Sequence, residues 1–153
     1  MAHYTAEIRW SRNGAAFTDN RYSRAHTWHF DGGADVHASA SPQIVAVPLS
    51  DPSGVDPEEA FVASLASCHM LWFLAIAAKR GFTVENYEDE AEGTLGQNDA
   101  GRTAMTRVIL RPRVEFIGAK LPSSADLDAM HHEAHAKCFI AASVLTEVLV
   151  EPV

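Results

Sequence analysis

The longest uninterrupted run of apolar positions lies between Ala60 and Ala78, where no Asp, Glu, Lys or Arg occurs. Both ends of this run carry helix signals. Asp56 suits an N-cap, Pro57 the first helical position, and Glu58 and Glu59 the turn where the helix dipole favours negative charge. Lys79 and Arg80 fall in the last turn, and Gly81 is placed to take the left-handed conformation beyond it. The stretch from Asp56 to Gly81 is therefore predicted to be one helix, apolar on every side, which must lie in a core or in a membrane. Ser64, Ser67 and His69 interrupt the apolarity and the rest of the chain reads as soluble strands, so burial in a protein core is expected.

The other segments alternate. Tyr4 to Arg12 reads as a strand around Ile8 and Trp10. The turn dipeptide Asn13-Gly14 predicts a hairpin partner over Phe17 to Tyr22. Strands are expected over His26–Asp31 and Val36–Ala40, followed by a long loop, Ser41 to Val55, holding Pro42, Pro48 and Pro52. Beyond the helix, Thr83 to Leu95 reads as one long acidic strand, turned at Asn98–Gly101. Thr103 to Phe116 returns with Val108, Leu110, Val114 and Phe116 on one face and Arg107, Arg111 and Arg113 on the other. Opposite charges paired across such a ladder contribute roughly 0.2–1 kcal/mol each. Ser123, with Asp126 three residues on, predicts a second helix to about Cys138, and Val144–Val150 a closing strand. The order implies one α+β domain over residues 1–153, with antiparallel sheets packed on a long buried central helix.

Composition narrows the possible partners. A chain of 153 residues with 47% hydrophobic content can bury a full core. A net charge of -8 argues against nucleic acid or an anionic membrane as partner. The opening MAHYTAEIRW has no signal-peptide pattern, so a cytoplasmic protein is expected, where two cysteines point to catalysis or metal binding rather than a structural disulfide.

Cys68 sits at the centre of the apolar helix and Cys138 in or beside the second one. A single buried cysteine is often just a small hydrophobe. Two helical cysteines can meet if their helices pack, and a nucleophilic thiol beside a second thiol is what peroxide reduction requires. Such a thiol needs a cation to lower its pKa, because burial alone raises it. Two other readings stand beside this one. His131, His135 and Cys138 fall at i, i+4 and i+7, with His132 and Glu133 close by, and Cys68 or His69 could complete a zinc tetrahedron. No standard zinc motif is present, since HHEAH is not H-E-x-x-H. A non-catalytic ligand-binding domain is the third.

Several features together resemble the OsmC/Ohr family, the osmotically inducible protein C and organic hydroperoxide resistance proteins. Pro57-Glu58 lies ten residues before the helical Cys68, a small-residue texture (AFVASLASC) leads up to it, a second cysteine comes in the last third, and Arg21-Tyr22-Ser23-Arg24-Ala25 looks like the family's arginine segment. The resemblance implies an intertwined homodimer and a peroxidase of organic hydroperoxides, with no metal or organic cofactor and a dithiol reductant such as the dihydrolipoyl group of a lipoyl protein. It further implies Cys68 as the peroxidatic nucleophile, Cys138 as the resolving thiol, Arg21 (or Arg24) as the activating cation, and Glu58 as the carboxylate holding it. Phe61, Met70, Trp72, Phe73 and Phe139 are candidates for an apolar substrate pocket. The family often has Pro after the second cysteine and an apolar residue after the first, where this chain has Phe139 and His69. Ten helical residues separate Glu58 from Cys68, roughly 15 Å along the axis. A glutamate and thiol of one site would then come from two subunits.

Overall fold

The apolar run folds as helix α1, Pro57–Lys79, in a computed structural model that describes all residues from Met1 to Val153. Its start is a reciprocal cap. The Glu59 N–H donates to Asp56 Oδ1 at 2.7 Å, and the Asp56 N–H donates to Glu59 Oε2 at 3.1 Å. At its end Gly81 takes φ 77°, and the Gly81 and Phe82 N–H groups close on the carbonyls of Ala78 and Ala77. Leu65, His69, Phe73, Ile76 and Ala77 form the buried stripe. Ala63, Ser67, Leu71, Ala75 and Ala78 form an exposed one. Length and composition alone would let α1 cross a membrane, but its buried stripe is packed against strands, as described below.

The chain divides into two units, Met1–Ala60 and Phe61–Val153. The first holds an antiparallel sheet, β1 (Ala6–Arg9), β2 (His26–Phe30) and β3 (Asp35–Ala38), in that order. Asn13 and Gly14 do turn the chain, with φ 48° and 78°. The hairpin expected from them does not form, and β1 pairs instead with β2, Ile8 opposite Trp28. The reason is side-chain packing. Phe17 and Tyr22 stack at 4.6 Å and both meet Trp10, at 5.9 and 5.4 Å, which gathers the segment into an aromatic knot rather than a strand.

In the second unit the expected long acidic strand and its basic return each break in two. The pieces are β4 (Thr83–Asp89), β5 (Glu92–Gln97), β6 (Thr103–Leu110) and β7 (Pro112–Ile117). Strand β4 pairs with β7, while β5 pairs with β6, so one hairpin feeds two sheets. At the corner the Asp89 carboxylate accepts the Arg111 N–H at 2.7 Å, and Pro112 lacks the N–H needed to continue a ladder. The bend suits the length of α1. Its first half packs Leu65 with Phe61 and Val62 against Val108, Leu110 and Met105 of the β5–β6 sheet. Its second half packs Phe73, Ile76 and Ala77 against Val84, Tyr87, Val114 and Phe116 of the β4–β7 sheet. Only Gly93 lets the first contact close, since a Cβ there would lie 2.5 Å from Val62 Cγ2 and 2.4 Å from Met105 Cε.

Helix α2 (Ser124–Lys137) carries the capping box read from Ser123 and Asp126, and adds Met130 and Ala134 to the second core. A 3-10 turn (Ala141–Ser143) leads to β8 (Glu147–Val150), which joins β6 in parallel, whereas the other strand pairs are antiparallel. A strand that returns through a helix has crossed over, which is what parallel pairing needs. Of the charge pairs expected across the hairpin, Glu88 does face Arg113 in register. The close contact across the hairpin is Arg111–Glu92 at 3.1 Å, while Arg107 pairs with Glu147 of β8 at 2.7 Å; neither pair is buried and both are of little energetic weight.

Candidate active site

The two cysteines, 70 positions apart in sequence, lie side by side where α1 passes the end of α2. Cys68 projects from the middle of α1 and is half-buried. Cys138 is the residue at which α2 ends, and only 2% of its surface is exposed. Both are free thiols. Desolvation and the hydrogen bond with Cys68 push the Cys138 thiol up from its ordinary value, partly offset by the backbone N–H groups of Ala141 (3.4 Å from Sγ) and Ile140. Cys138 is thus a protonated, poorly accessible thiol in contact with a more accessible one.

Around them the aromatic candidates divide. Trp72 and Phe139 meet edge to face at 5.5 Å, and Phe139 is 68% exposed although its neighbour is buried. Lys137 lies over the Trp72 ring at 5.4 Å. Met70 is half-buried on α1. Phe61 packs into the cluster of Leu65, Val108 and Leu110. Phe73 is wholly buried among Ile76, Met130 and His131, with no surface to offer a ligand.

The histidines arrange themselves differently from the zinc reading. His69 is buried, and its Nε2 lies 3.0 Å from Nδ1 of His131, so His131 is committed to another ring. No three His, Cys, Asp or Glu side chains converge as metal ligands, and the His131/His135/Cys138 set does not form a centre. Spacing along α2 put these residues on one face, but it did not show that α1 supplies a histidine to one of them. A histidine directly after Cys68 was the only signal of the pair.

The remaining site candidates belong to the first unit. Arg21 is exposed and makes no side-chain ion pair; its backbone N–H donates to Asp19 Oδ1 at 3.0 Å. The Arg24 guanidinium is held by neutral acceptors, Asn20 O at 3.0 Å, Asn20 Oδ1 at 2.8 Å and Tyr22 O, and stacks 3.8 Å over the Tyr22 ring. Glu58 is half-buried in the first turn of α1.

Comparison with known proteins now decides the family. The profile of OsmC-like proteins matches residues 50–152, which include both cysteines, α1 and α2. This chain belongs to the OsmC-like family. An OsmC-like protein of unknown function from Vibrio cholerae is 56% identical over 100% of both chains, with a TM-score of 0.99. The OsmC-like fold is also shared by an organic hydroperoxide resistance protein OsmC from Legionella pneumophila, 16% identical over 99% of this chain and 96% of that one, with a TM-score of 0.68. The organic hydroperoxide resistance protein OhrB of Bacillus subtilis, 16% identical over 99% and 98% of the chains, gives the same score of 0.68. No curated protein sequence matches the chain.

Proposed function

We propose that this OsmC-like protein is a thiol-dependent peroxidase that reduces organic hydroperoxides through Cys68 and Cys138. The observation that carries the reading is the contact between a half-buried thiol and a buried one at the meeting of two helices. The Cys68 thiolate attacks the O–O bond of the hydroperoxide, becoming a sulfenic acid, and the alcohol leaves after taking up a proton. The Cys138 thiol then displaces water from that sulfenic acid to give a Cys68–Cys138 disulfide. A dithiol such as a dihydrolipoyl group returns both thiols and is itself oxidised to a disulfide. No metal or organic cofactor enters these steps. Cys138 is suited to the second role, because a thiol kept protonated by its surroundings is a poor first nucleophile.

Activation of Cys68 requires a cation. In the unit that carries the thiols, Arg80, Arg107 and Arg111 are each engaged in ion pairs with Glu133, Glu147 and Glu92. Arg102 and Arg113 have no such partner, and nor has Arg21. Arg21, in the segment that resembles the family's arginine segment, is our candidate, with Arg24 second and Glu58 as the carboxylate that holds the guanidinium. The exposed stripe Ala63, Ser67, Leu71, Ala75 and Ala78 gives α1 a smooth face for a second copy of the chain. A homodimer would supply Arg21 and Glu58 to the partner's Cys68. Trp72 and Phe139 are suited to the apolar tail of the substrate. A domain spanning residues 1–153 and a reducing cytoplasm fit a cycle that ends on a dithiol.

The test is peroxide consumption with cumene hydroperoxide and dihydrolipoamide, read beside a thiol count. Turnover should vanish in Cys68→Ser. The Cys138→Ser protein should consume about one equivalent and stop as a sulfenic acid. Full activity in Cys68→Ser, or no consumption by the unmodified chain with any dithiol, would overturn the reading, and the second result would mark a binding domain.

A further inference from the structure

The two helices that bring the thiols together are tied by a buried pair of imidazoles. His69, directly after Cys68 on α1, is 1% exposed, and His131, two turns before Cys138 on α2, is 5% exposed. His69 Nε2 and His131 Nδ1 lie 3.0 Å apart, with the rings nearly parallel at 6°. His131 in turn stacks on Phe73 at 4.3 Å, which locks its plane. Burial holds both rings neutral, each with its pKa pushed down to about 4.

Neutral rings fix the tautomers. His69 Nδ1 is buried without a partner, and an orphaned N–H is rarer in proteins than an unmatched lone pair. The proton is therefore assigned to His69 Nε2, which donates to His131 Nδ1, leaving the His131 proton on Nε2. The bond has a direction, from α1 to α2. A further side-chain hydrogen bond, from Arg80 to Glu133 at 2.9 Å, begins just beyond the end of α1. The histidine bond acts directly beside Cys68, with Lys137 over the Trp72 ring one turn further along α1, and rotating α1 by a few degrees there would carry the thiol away from Cys138.

The geometry points to His69 and His131 as positioning residues whose hydrogen bond sets the approach of Cys68 to Cys138 and so the ease with which the two thiols become a disulfide. This rests on the two thiols being a redox pair, as proposed above. The structural role alone would be met by any side chains that fill the space; the positioning role requires the donor on α1 and the acceptor on α2.

The experiment measures the thiol–disulfide equilibrium of the full chain in buffers of reduced and oxidised dithiothreitol, trapped by alkylation and read by mass, with no peroxide present. His69→Leu and His131→Leu should each weaken disulfide formation at least tenfold, or about 30 mV for a two-electron couple. The double leucine variant should be no worse than either single one, because one bond is lost in all three. His69→Gln and His131→Asn place amide groups where Nε2 and Nδ1 lie and should recover most of the loss. They also decide the matter if the leucine variants fail to fold. Unchanged equilibria in the leucine variants, additive losses in the double variant, or Gln and Asn no better than Leu would overturn the positioning role. An unmodified chain that forms no Cys68–Cys138 disulfide in any of these buffers would overturn the redox pair itself, and the positioning role with it.

Discussion

Cys138 and Cys68 differ in exposure and in what surrounds their sulfur atoms, and those differences set their order of reaction. Because Cys138 is buried and its thiol is pushed up by desolvation and by Cys68, it should alkylate slowly in the native chain. With a maleimide at neutral pH, one thiol should react at least tenfold faster than the other, and peptide mapping should place the fast one at Cys68. Equal rates in the folded chain would contradict the asymmetry. The histidine pair yields a second outcome at this scale. His69 and His131 have folded pKa values lowered to about 4, chiefly by desolvation, with His131 and then His135 further disfavouring protonation of His69 and Asp128 opposing the shift of His131. The unfolded chain, with ordinary histidines near 6.5, therefore binds more protons between these values. Stability is at its plateau above about pH 6.5 and falls as pH drops towards 4, by a total on the order of a few kcal/mol. Urea midpoints measured from pH 7.5 to 4.5 should decline, and the decline should be shallower in the double variant His69→Leu/His131→Leu. Little of this was legible in the sequence. A histidine after Cys68 and three on α2 are visible there, but their pairing depends on which faces of two helices meet.

At the scale of elements, local chemistry was the better guide where it was complete within a few residues. The caps of α1 and α2 were readable because Asp56, and Ser123 with Asp126, meet backbone N–H groups a few residues away without help from elsewhere; the structure adds that Glu59 returns a bond to the Asp56 N–H. Ser123→Ala should accordingly cost about 1 kcal/mol of stability by chemical denaturation. The strands were less readable because their limits are set by packing. Thr83–Leu95 has a continuous pattern, yet it breaks at Asp89–Glu92 because α1 is long enough to cover two sheets and the corner is pinned by Asp89 on the Arg111 N–H. Phe17–Tyr22 has strand character but joins Trp10 in a knot. Gly93 marks the contact of β5 with α1. Gly93→Ala would press a methyl into Val62 on the helix, and a loss of about 1–3 kcal/mol, seen as a lowered urea midpoint, is the expected outcome.

For the whole molecule, the apolar face left open on α1 matters most. Between Phe61 and Ala78 five residues of that helix are exposed and eight are half-buried within one chain, so its outer face offers apolar surface to a partner. The homodimer proposed above, closed over Leu71, would cover it. Leu71→Arg, which places a charge at the middle of the exposed stripe, should shift the chain to monomer in sedimentation velocity at micromolar concentration. It should lose peroxide turnover with it if Arg21 and Glu58 come from the partner. A dimer unaffected by Leu71→Arg would place the interface elsewhere. The sequence by itself determined the helix ends, the apolar character of α1, the α+β class and the two cysteines as the groups to watch, because each is written in residues near one another along the chain. Only the tertiary structure decided that the hairpin feeds two sheets, that Cys68 meets Cys138, and that His69 pairs with His131. Contacts between residues tens of positions apart depend on how helices and sheets rotate against one another as the core fills, and no local pattern records that rotation.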